Sequence, residues 1–301
     1  MNKKIGICIP TFKRLSSLKR LIASINSLEI PQDFQGEILI IVVDNDIAKS
    51  AASIIYEESK FKVQYYNESL KGLSNVRNKV ILESIKEKCD YLAFIDDDEE
   101  IVDNRWLINY LNCINLYNAD VVAGPVITTY SNVKKNWILN SGIYDRKRFK
   151  TGSEISYAGA GNLFLKTDIF SVLKYPFFDN KFNNTGGEDT DFFFRLKKMN
   201  MKVIWCDEAL VSEQLIEERT KIVYLLKRAL NGGIIYTQCK MKYSDIKFLT
   251  AATIVIDSTI KIILYGLLML LKPKKIPLYF LRIISQCGKI ISLLNLNINR
   301  Y

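Results

Sequence analysis

The stretch Tyr91-Leu-Ala-Phe-Ile-Asp96-Asp97-Asp98-Glu99-Glu100 joins an apolar segment directly to a run of acidic residues. Its first half, Tyr91–Ile95, reads as an apolar strand. Carboxylates packed so closely repel one another, and a bound cation is a good reason to keep them together. Mg²⁺ and Mn²⁺ prefer oxygen ligands and commonly bridge protein carboxylates to a diphosphate. The stretch therefore favours a metal site at the end of a strand; the alternative is a solvated acidic turn.

Strand-like and helix-like segments alternate around this stretch over the first 125 residues. The strand-like segments are short and apolar: Lys4–Ile9, Glu37–Val43, Lys62–Tyr66, Tyr91–Ile95 and Asp120–Ala123. The helix-like segments between them are Arg14–Leu28, Ala48–Ser59, Leu73–Lys88 and Asn104–Tyr117. This order predicts an α/β fold, a mainly parallel sheet covered by helices. Ligands of such folds bind beyond the carboxyl ends of the strands, where the acidic residues fall.

Two more polar segments adjoin predicted strands. Asp44 follows the apolar run Glu37–Val43, and its carboxylate can accept hydrogen bonds from a nucleobase or a ribose. The alternative is a helix N-cap, a role that suits Asp46. Farther along, Gly72 permits a tight turn before a helix, and Ser74 can cap that helix. Arg77 then lies in the first helical turn, where it reaches a phosphate or the acidic cluster; the alternative is a surface arginine.

A glycine pair followed by acidic residues forms a fourth segment, at residues 184–192. Gly186 and Gly187 let the backbone approach a ligand closely. Glu188 and Asp189 then open a predicted helix, where the macrodipole favours negative charge, so an ordinary acid-rich helix start is the alternative. The chain has no histidine, which excludes Ser-His-Asp triads, histidine bases and histidine metal ligands. A carboxylate in this segment is therefore the candidate general base.

The cysteines and the N-terminal residues indicate a reducing compartment. The six cysteines are scattered and include no C-x-x-C pair, which disfavours a zinc site and favours free thiols. The apolar run after Met1–Lys4 stops at Pro10 and is too short for a signal peptide. We therefore expect a cytosolic N-terminus.

Positive charge is concentrated in the last third of the chain. Residues 219–301 contain 14 Lys and Arg against Asp245 and Asp257, whereas residues 1–218 contain 28 Lys and Arg against 30 Asp and Glu. This asymmetry predicts an anionic partner, a membrane surface or a nucleic acid. The aromatic residues of the tail lie on apolar faces and form no stacking series, so we expect no nucleic acid.

We place a domain boundary near residue 215, between a catalytic domain (1–215) and a basic helical region (216–301) with helices near 217–231, 246–271 and 276–294. The segment near 248–271 is long enough to span a bilayer. However, Asp257 and Lys261 lie inside it, and a charge near the bilayer centre costs about 2.5–3.5 kcal/mol. We expect two amphipathic helices in the membrane interface. The alternatives are a spanning helix and helices folded onto the catalytic domain.

Taken in order, these segments resemble the family-2 glycosyltransferases of the GT-A fold, over roughly residues 4–235. Six motifs carry the resemblance: Ile9–Arg14, Asp44, the Gly72…Arg77-Asn78 helix start, the D-x-D motif Asp96–Asp98, Gly159–Asn162 and the E-D motif Glu188-Asp189. The resemblance implies a nucleotide-sugar site formed by Pro10, Thr11, Arg14, Asp44, Arg77, Asp96 and Asp97. It also implies that Asp98 ligates Mn²⁺ or Mg²⁺. Acceptor binding falls to Glu188, Gly161 and Asn162, and general-base catalysis to Asp189.

The chain departs from the family at one metal ligand. Many relatives place a histidine after the last core strand, where this sequence has Ala209–Gln214. Either Glu213 takes that role or the metal has one protein ligand fewer.

The resemblance implies an inverting, metal-dependent transfer from a nucleotide sugar, UDP-linked by family habit, to a glycan or lipid-linked acceptor. The expected location is the cytoplasmic face of a bacterial inner membrane, in the assembly of cell-surface polysaccharide. One alternative is a nucleotidyltransferase, which usually has a glycine-rich loop where this chain has Pro10–Arg14. The other is a degenerate, non-catalytic membrane protein with the same fold.

Overall fold

The computed structural model describes residues 3–32, 34–54, 59–131 and 135–294. The chain forms two compact units, one of residues 1–127 with 146–213 and one of residues 128–145 with 214–301. The change of unit falls at residues 213–214, close to the boundary expected near 215. The segment 128–145, expected in the catalytic domain, belongs to the second unit.

A seven-stranded sheet forms the centre of the first unit, in the order β3-β2-β1-β4-β8-β6-β9. Its strands are β1 (Lys4–Thr11), β2 (Glu37–Asp44), β3 (Lys62–Asn67), β4 (Tyr91–Ile95), β6 (Val121–Ala123), β8 (Asn162–Lys166) and β9 (Val203–Trp205). The pairs β3-β2, β2-β1, β1-β4 and β6-β9 are parallel, whereas β8 runs antiparallel to β4 and β6. This confirms the predicted mixed, mainly parallel sheet.

A second sheet has the order β5-β10-β7, formed by β5 (Glu99–Ile101), β10 (Val211–Gln214) and β7 (Val126–Thr129). Strand β5 begins within the acidic stretch that follows β4. It pairs antiparallel with β10, and this register sets Glu213 opposite Glu99.

Helices cover both faces of the large sheet. They are α1 (Leu15–Asn26), α2 (Leu73–Lys86), α3 (Trp106–Leu116), α5 (Ile169–Val172) and α6 (Glu188–Lys198). Because alternate side chains of a strand point to opposite faces, Ile5, Ile7 and Ile9 of β1 join one core and Cys8 joins the other. The helix expected at Ala48–Ser59 is a 3₁₀ turn at Ser50–Ser53, and residues 55–58 lie outside the described residues.

The second unit is helical. It contains α4 (Asn136–Ser141), α7 (Ile222–Lys242), α8 (Lys247–Leu271) and α9 (Ile276–Leu293), with a 3₁₀ turn at Pro273–Lys275. Helix α9 packs against both α7 and α8. The helix expected near 217–231 corresponds to α7, which begins at Ile222 and ends at Lys242. Two segments, 247–271 and 273–293, are long and apolar enough to cross a membrane by length and composition.

Candidate active site

The carboxyl ends of three parallel strands meet at one edge of the large sheet. Thr11 at the end of β1 lies opposite Asp44 at the end of β2, and β4 ends directly before Asp96. Pro10 lies one residue earlier in β1, opposite Val43. The segments identified in the sequence therefore converge at this edge.

Burial alternates along the acidic stretch after β4. Asp96 and Asp98 are partly exposed, whereas Asp97 and Glu99 are buried. Burial raises the pKa of Asp97 and, together with the neighbouring Asp96, raises the pKa of Glu99 well above its ordinary value. The stretch thus offers two carboxylates to a ligand and keeps two within the protein.

Asp97 fixes the loop that follows β1. Its carboxylate accepts hydrogen bonds from Thr11 Oγ1 at 2.9 Å, from the Phe12 amide at 3.2 Å and from Arg14 Nη1 at 2.8 Å. Arg14 also lies 3.0 Å from Asp98 Oδ2. These contacts make neighbours of Asp97, Thr11 and Arg14. Their expected role in binding the nucleotide sugar stays a prediction.

Arg77 is buried between two acidic segments of the chain. Its side chain is 4% exposed; Nη1 donates to Glu188 Oε1 at 2.5 Å and Nη2 to Asp96 Oδ1 at 3.1 Å. Burial lowers the pKa of Arg77, but Asp96 and Glu188 outweigh it and hold that pKa above the ordinary value. Arg77 therefore ties the end of β4 to the start of α6, in agreement with the prediction that it reaches the acidic cluster.

Asp189, the candidate base, is partly exposed beside the buried Glu188. Asp189 Oδ1 accepts a hydrogen bond from the Thr190 amide at 2.6 Å, and Oδ2 accepts one from the Tyr157 hydroxyl at 3.2 Å. Tyr157 is half-exposed and packs edge-on against Phe193. No sequence motif marks Tyr157, which lies 32 residues before Asp189.

Gly161 and Asn162 lie beneath the site, at the start of β8. A Cβ atom at Gly161 would come within 2.6 Å of Glu99 Oε1 and 2.8 Å of Asp96 Oδ2, so the glycine allows the carboxylates to approach the backbone. Asn162 is 1% exposed. Its amide nitrogen donates to the carbonyls of Pro125 and Ala209. Its amide oxygen accepts from Trp106 Nε1 and from the Tyr110 hydroxyl, both of α3. The Asn162 side chain thus supports β8 from within the core, and its expected acceptor contact stays a prediction.

Asp44 organises the turn after β2. It is fully buried, and its two oxygens accept hydrogen bonds from the amides of Asp46 and Ala51 and from the Tyr65 hydroxyl. A role for Asp44 in nucleobase binding stays a prediction.

Glu213, a candidate to replace the histidine metal ligand of the family, is buried in β10. Arg146 Nη2 lies 2.8 Å from Glu213 Oε2. The sequence gives no sign of this partner, because Arg146 lies in a turn-rich segment far from β10. Within the described residues, no three or more His, Cys, Asp or Glu side chains form a group suited to a metal ion. Metal ligation by Glu213 stays a prediction.

The family model described as Glycosyl transferase family 2 matches residues 6–174, more than half of the chain. The chain is 29% identical over 232 residues to the succinoglycan biosynthesis protein ExoM of Rhizobium meliloti (strain 1021), covering 76% of this chain and 72% of that protein. It is 26% identical over 233 residues to the chondroitin synthase of Pasteurella multocida (strain Pm70), covering 65% of this chain but only 23% of that protein.

Solved structures share the fold. The mannosyltransferase PcManGT from Pyrobaculum calidifontis, in complex with GDP-Man and Mn²⁺, aligns with a TM-score of 0.64 at 11% identity, over 99% of this chain and 89% of that one. S. aureus TarS 1-349 in complex with UDP aligns with a TM-score of 0.54 at 14% identity, over 97% and 92%. These likenesses confirm the predicted GT-A fold, and with the matched family model they establish that the chain belongs to glycosyltransferase family 2.

Proposed function

We propose that this protein transfers a sugar from a nucleotide-diphosphate sugar, with a UDP-sugar as the first candidate, to a hydroxyl of a glycan or lipid-linked acceptor. The observation that carries the proposal is the contact of Arg77 with both Asp96 and Glu188. Arg77 links Asp96, expected at the nucleotide-sugar site, to Glu188, which adjoins the candidate base Asp189. One network therefore connects the two substrate sites, which suits a reaction between two bound substrates. The neighbours solved with UDP and with GDP-Man support a nucleotide-linked donor.

Asp189 is the proposed general base. Its carboxylate takes the proton of the acceptor hydroxyl while that oxygen attacks the anomeric carbon and the bond to the diphosphate breaks. A single displacement of this kind inverts the anomeric configuration. Tyr157 and Thr190 hold the carboxylate in place through the hydrogen bonds described above. Since general-base catalysis contributes about 10²- to 10⁴-fold, Asp189→Asn should lower turnover by at least that range. Near-native turnover of this variant would show that the base is misassigned.

Asp98, with Asp96 beside it, is the proposed site for Mn²⁺ or Mg²⁺. Two partly exposed carboxylates suit a cation that takes its other ligands from water and a diphosphate. A divalent ion there supplies positive charge to the leaving diphosphate. Arg14, which now contacts Asp98, has a carboxylate partner in Asp97 that it keeps when a cation binds Asp98.

The test is calorimetric titration of UDP into the detergent-solubilised protein, with and without Mn²⁺. We expect binding that requires Mn²⁺ and is lost in Asp98→Ala. Asp168→Ala is the matched control, because Asp168 is an exposed aspartate of the same unit that follows β8, at the opposite edge of the sheet from Asp98. Equal binding without Mn²⁺ would contradict the metal role. Failure to bind UDP, GDP, CDP and dTDP would favour the degenerate, non-catalytic alternative.

We also infer that the protein works in the assembly of a bacterial cell-surface polysaccharide, at the cytoplasmic face of the inner membrane. The names of two relatives, a succinoglycan biosynthesis protein and a chondroitin synthase, support a polysaccharide product. The excess of Lys and Arg in residues 219–301 and the apolar surface of α8 support attachment to an anionic membrane.

A further inference from the structure

Helix α8 presents a broad apolar face that the second unit leaves uncovered. Only Ile254 and Ser258 of the helix are buried. Its exposed large apolar residues are Phe248, Leu249, Val255, Ile256, Ile260, Ile263, Leu264, Leu267, Leu270 and Leu271. At about 100° per residue, these ten positions fall within roughly half of the helix circumference. A surface of this extent fits the hydrocarbon of a membrane.

Three lysines, one from each long helix of this unit, lie around Tyr236 of α7. Lys289 Nζ of α9 lies 4.7 Å from the centre of the Tyr236 ring, and Lys240 Nζ of α7 lies 5.9 Å from it. Lys261 of α8 is close enough to Lys289 to lower its pKa, after burial and together with Lys240. We call Lys240, Lys261 and Lys289 the lysine cluster.

Asp257 is the carboxylate that partly neutralises the lysine cluster. It accepts a hydrogen bond from Lys261 at 2.8 Å, and it opposes the fall in the pKa of Lys289. Three cations against one carboxylate leave a net positive charge of about two, the form of site that binds a phosphate.

On α8, the charged residues at the lysine cluster lie at one edge of the apolar face. At about 100° per residue, Asp257 and Lys261 fall just beyond one edge of the arc that holds the exposed apolar residues. When that arc faces the acyl chains, this edge lies at the water boundary, where lysines reach the headgroups.

We propose that the lysine cluster binds the phosphate group of an anionic membrane lipid while the apolar face of α8 lies in the acyl region. The proposal rests on the membrane location inferred above and adds a defined headgroup site to it. A phospholipid is the occupant that satisfies both observations, because it carries the phosphate and the hydrocarbon in one molecule.

The experiment measures sedimentation of the full-length protein with vesicles of phosphatidylcholine alone and with equimolar phosphatidylcholine and phosphatidylglycerol. A lysine near an anionic surface contributes about a fivefold gain in affinity. We therefore expect Lys240→Gln and Lys289→Gln each to weaken binding to the anionic vesicles by about fivefold. Asp257→Asn should strengthen it, because the variant removes the opposing charge. Binding to phosphatidylcholine alone should change little in all three.

Lys227→Gln is the matched control, since Lys227 is exposed on α7 and, at about 100° per residue, lies on the side of that helix opposite Tyr236. Equal losses in Lys227→Gln and the cluster variants, or weaker binding by Asp257→Asn, would overturn the headgroup site while leaving membrane binding intact. If the wild-type protein does not sediment with anionic vesicles, both the headgroup site and membrane binding would be overturned. Self-association without vesicle binding would assign the apolar face to a second copy. Circular dichroism of each variant separates lost binding from lost folding.

Discussion

The guanidinium of Arg77 separates two carboxylates that would otherwise be buried or half-buried without a cation. Breaking a buried ion pair by removing one partner costs about 3–5 kcal/mol, mainly because the other charge stays uncompensated. Glu188 is the buried partner, whereas Asp96 is about a third exposed and keeps part of its hydration. We therefore expect Arg77→Met to lower the free energy of unfolding by about 3 kcal/mol, measured by urea denaturation.

The double variant Arg77→Met/Glu188→Gln controls for this effect. It removes the uncompensated charge together with the cation, so its loss should be smaller than the sum of the two single losses. Additive losses would mean that Arg77 acts through packing against Phe178, whose ring centre lies 5.5 Å away, and not through Glu188.

Gly161 and Gly159 form a natural pair for testing how closely the carboxylates approach β8. Gly161→Ala would displace Glu99 and Asp96, whereas a Cβ at Gly159 meets nothing within 4 Å. Both displaced groups are the ends of side chains, so we expect a modest loss of stability. Gly161→Ala should weaken the binding of UDP with Mn²⁺ at least tenfold. This factor corresponds to a loss of about 1.4 kcal/mol of binding free energy when the carboxylates are displaced. Gly159→Ala should bind as the wild type does, and equal effects would contradict this role.

The residues at the strand ends could be predicted from the sequence, because an apolar strand followed by carboxylates is a local pattern. The contacts of those residues were not. Asp97 binds a loop more than 80 residues away, and Asp189 meets Tyr157 through folding alone. Asn162 was expected to bind an acceptor, and no local pattern revealed that its side chain also joins β8 to α3 within the core.

At the scale of elements, most strands and helices were predictable from apolar periodicity, but their ends depend on distant partners. Helix α2 begins after Gly72, as expected from its glycine. Its first amides, of Ser74 and Asn75, donate to Asn183 Oδ1, while the Ser74 hydroxyl donates to the Asp179 carbonyl. The cap expected from Ser74 therefore comes from a residue that is 109 positions away.

Helices α7 and α9 approach each other closely through glycines. A Cβ at Gly233 of α7 would collide with the Ser285 carbonyl of α9, and one at Gly288 would collide with the Leu230 carbonyl of α7. Both obstacles are backbone atoms that do not rotate away. We expect Gly288→Ala to lower the free energy of unfolding by about 1–3 kcal/mol, the usual cost of overpacking.

Gly232→Ala is the matched control for the helix contact. Its Cβ would meet nothing within 4 Å, and alanine favours a helix over glycine by about 0.8–1.0 kcal/mol. The two substitutions should therefore shift the thermal midpoint in opposite directions. A gain of stability in both would show that α7 and α9 have room to separate.

At the scale of the whole molecule, the sequence predicted a basic helical region after an approximately neutral α/β region. It did not predict that residues 128–145 belong with the second unit, because short segments such as α4 carry no periodic signal. The charge and the exposed face of α8 act together only in the folded unit, where α9 packs against α8 and against α7.

This packing favours an interfacial α8 over a spanning one. If α8 crossed the bilayer, α7 and α9 would be drawn in with it, and so would the lysine cluster, at about 2.5–3.5 kcal/mol for each charge near the centre. We therefore expect both ends of α8 on the cytoplasmic side. Lys247→Cys and Lys272→Cys, introduced one at a time in a Cys287→Ser background whose other five cysteines are buried, test this with a membrane-impermeant maleimide. Both should react in inside-out vesicles and neither in intact spheroplasts. Labelling of the two positions from opposite sides would establish a spanning helix instead.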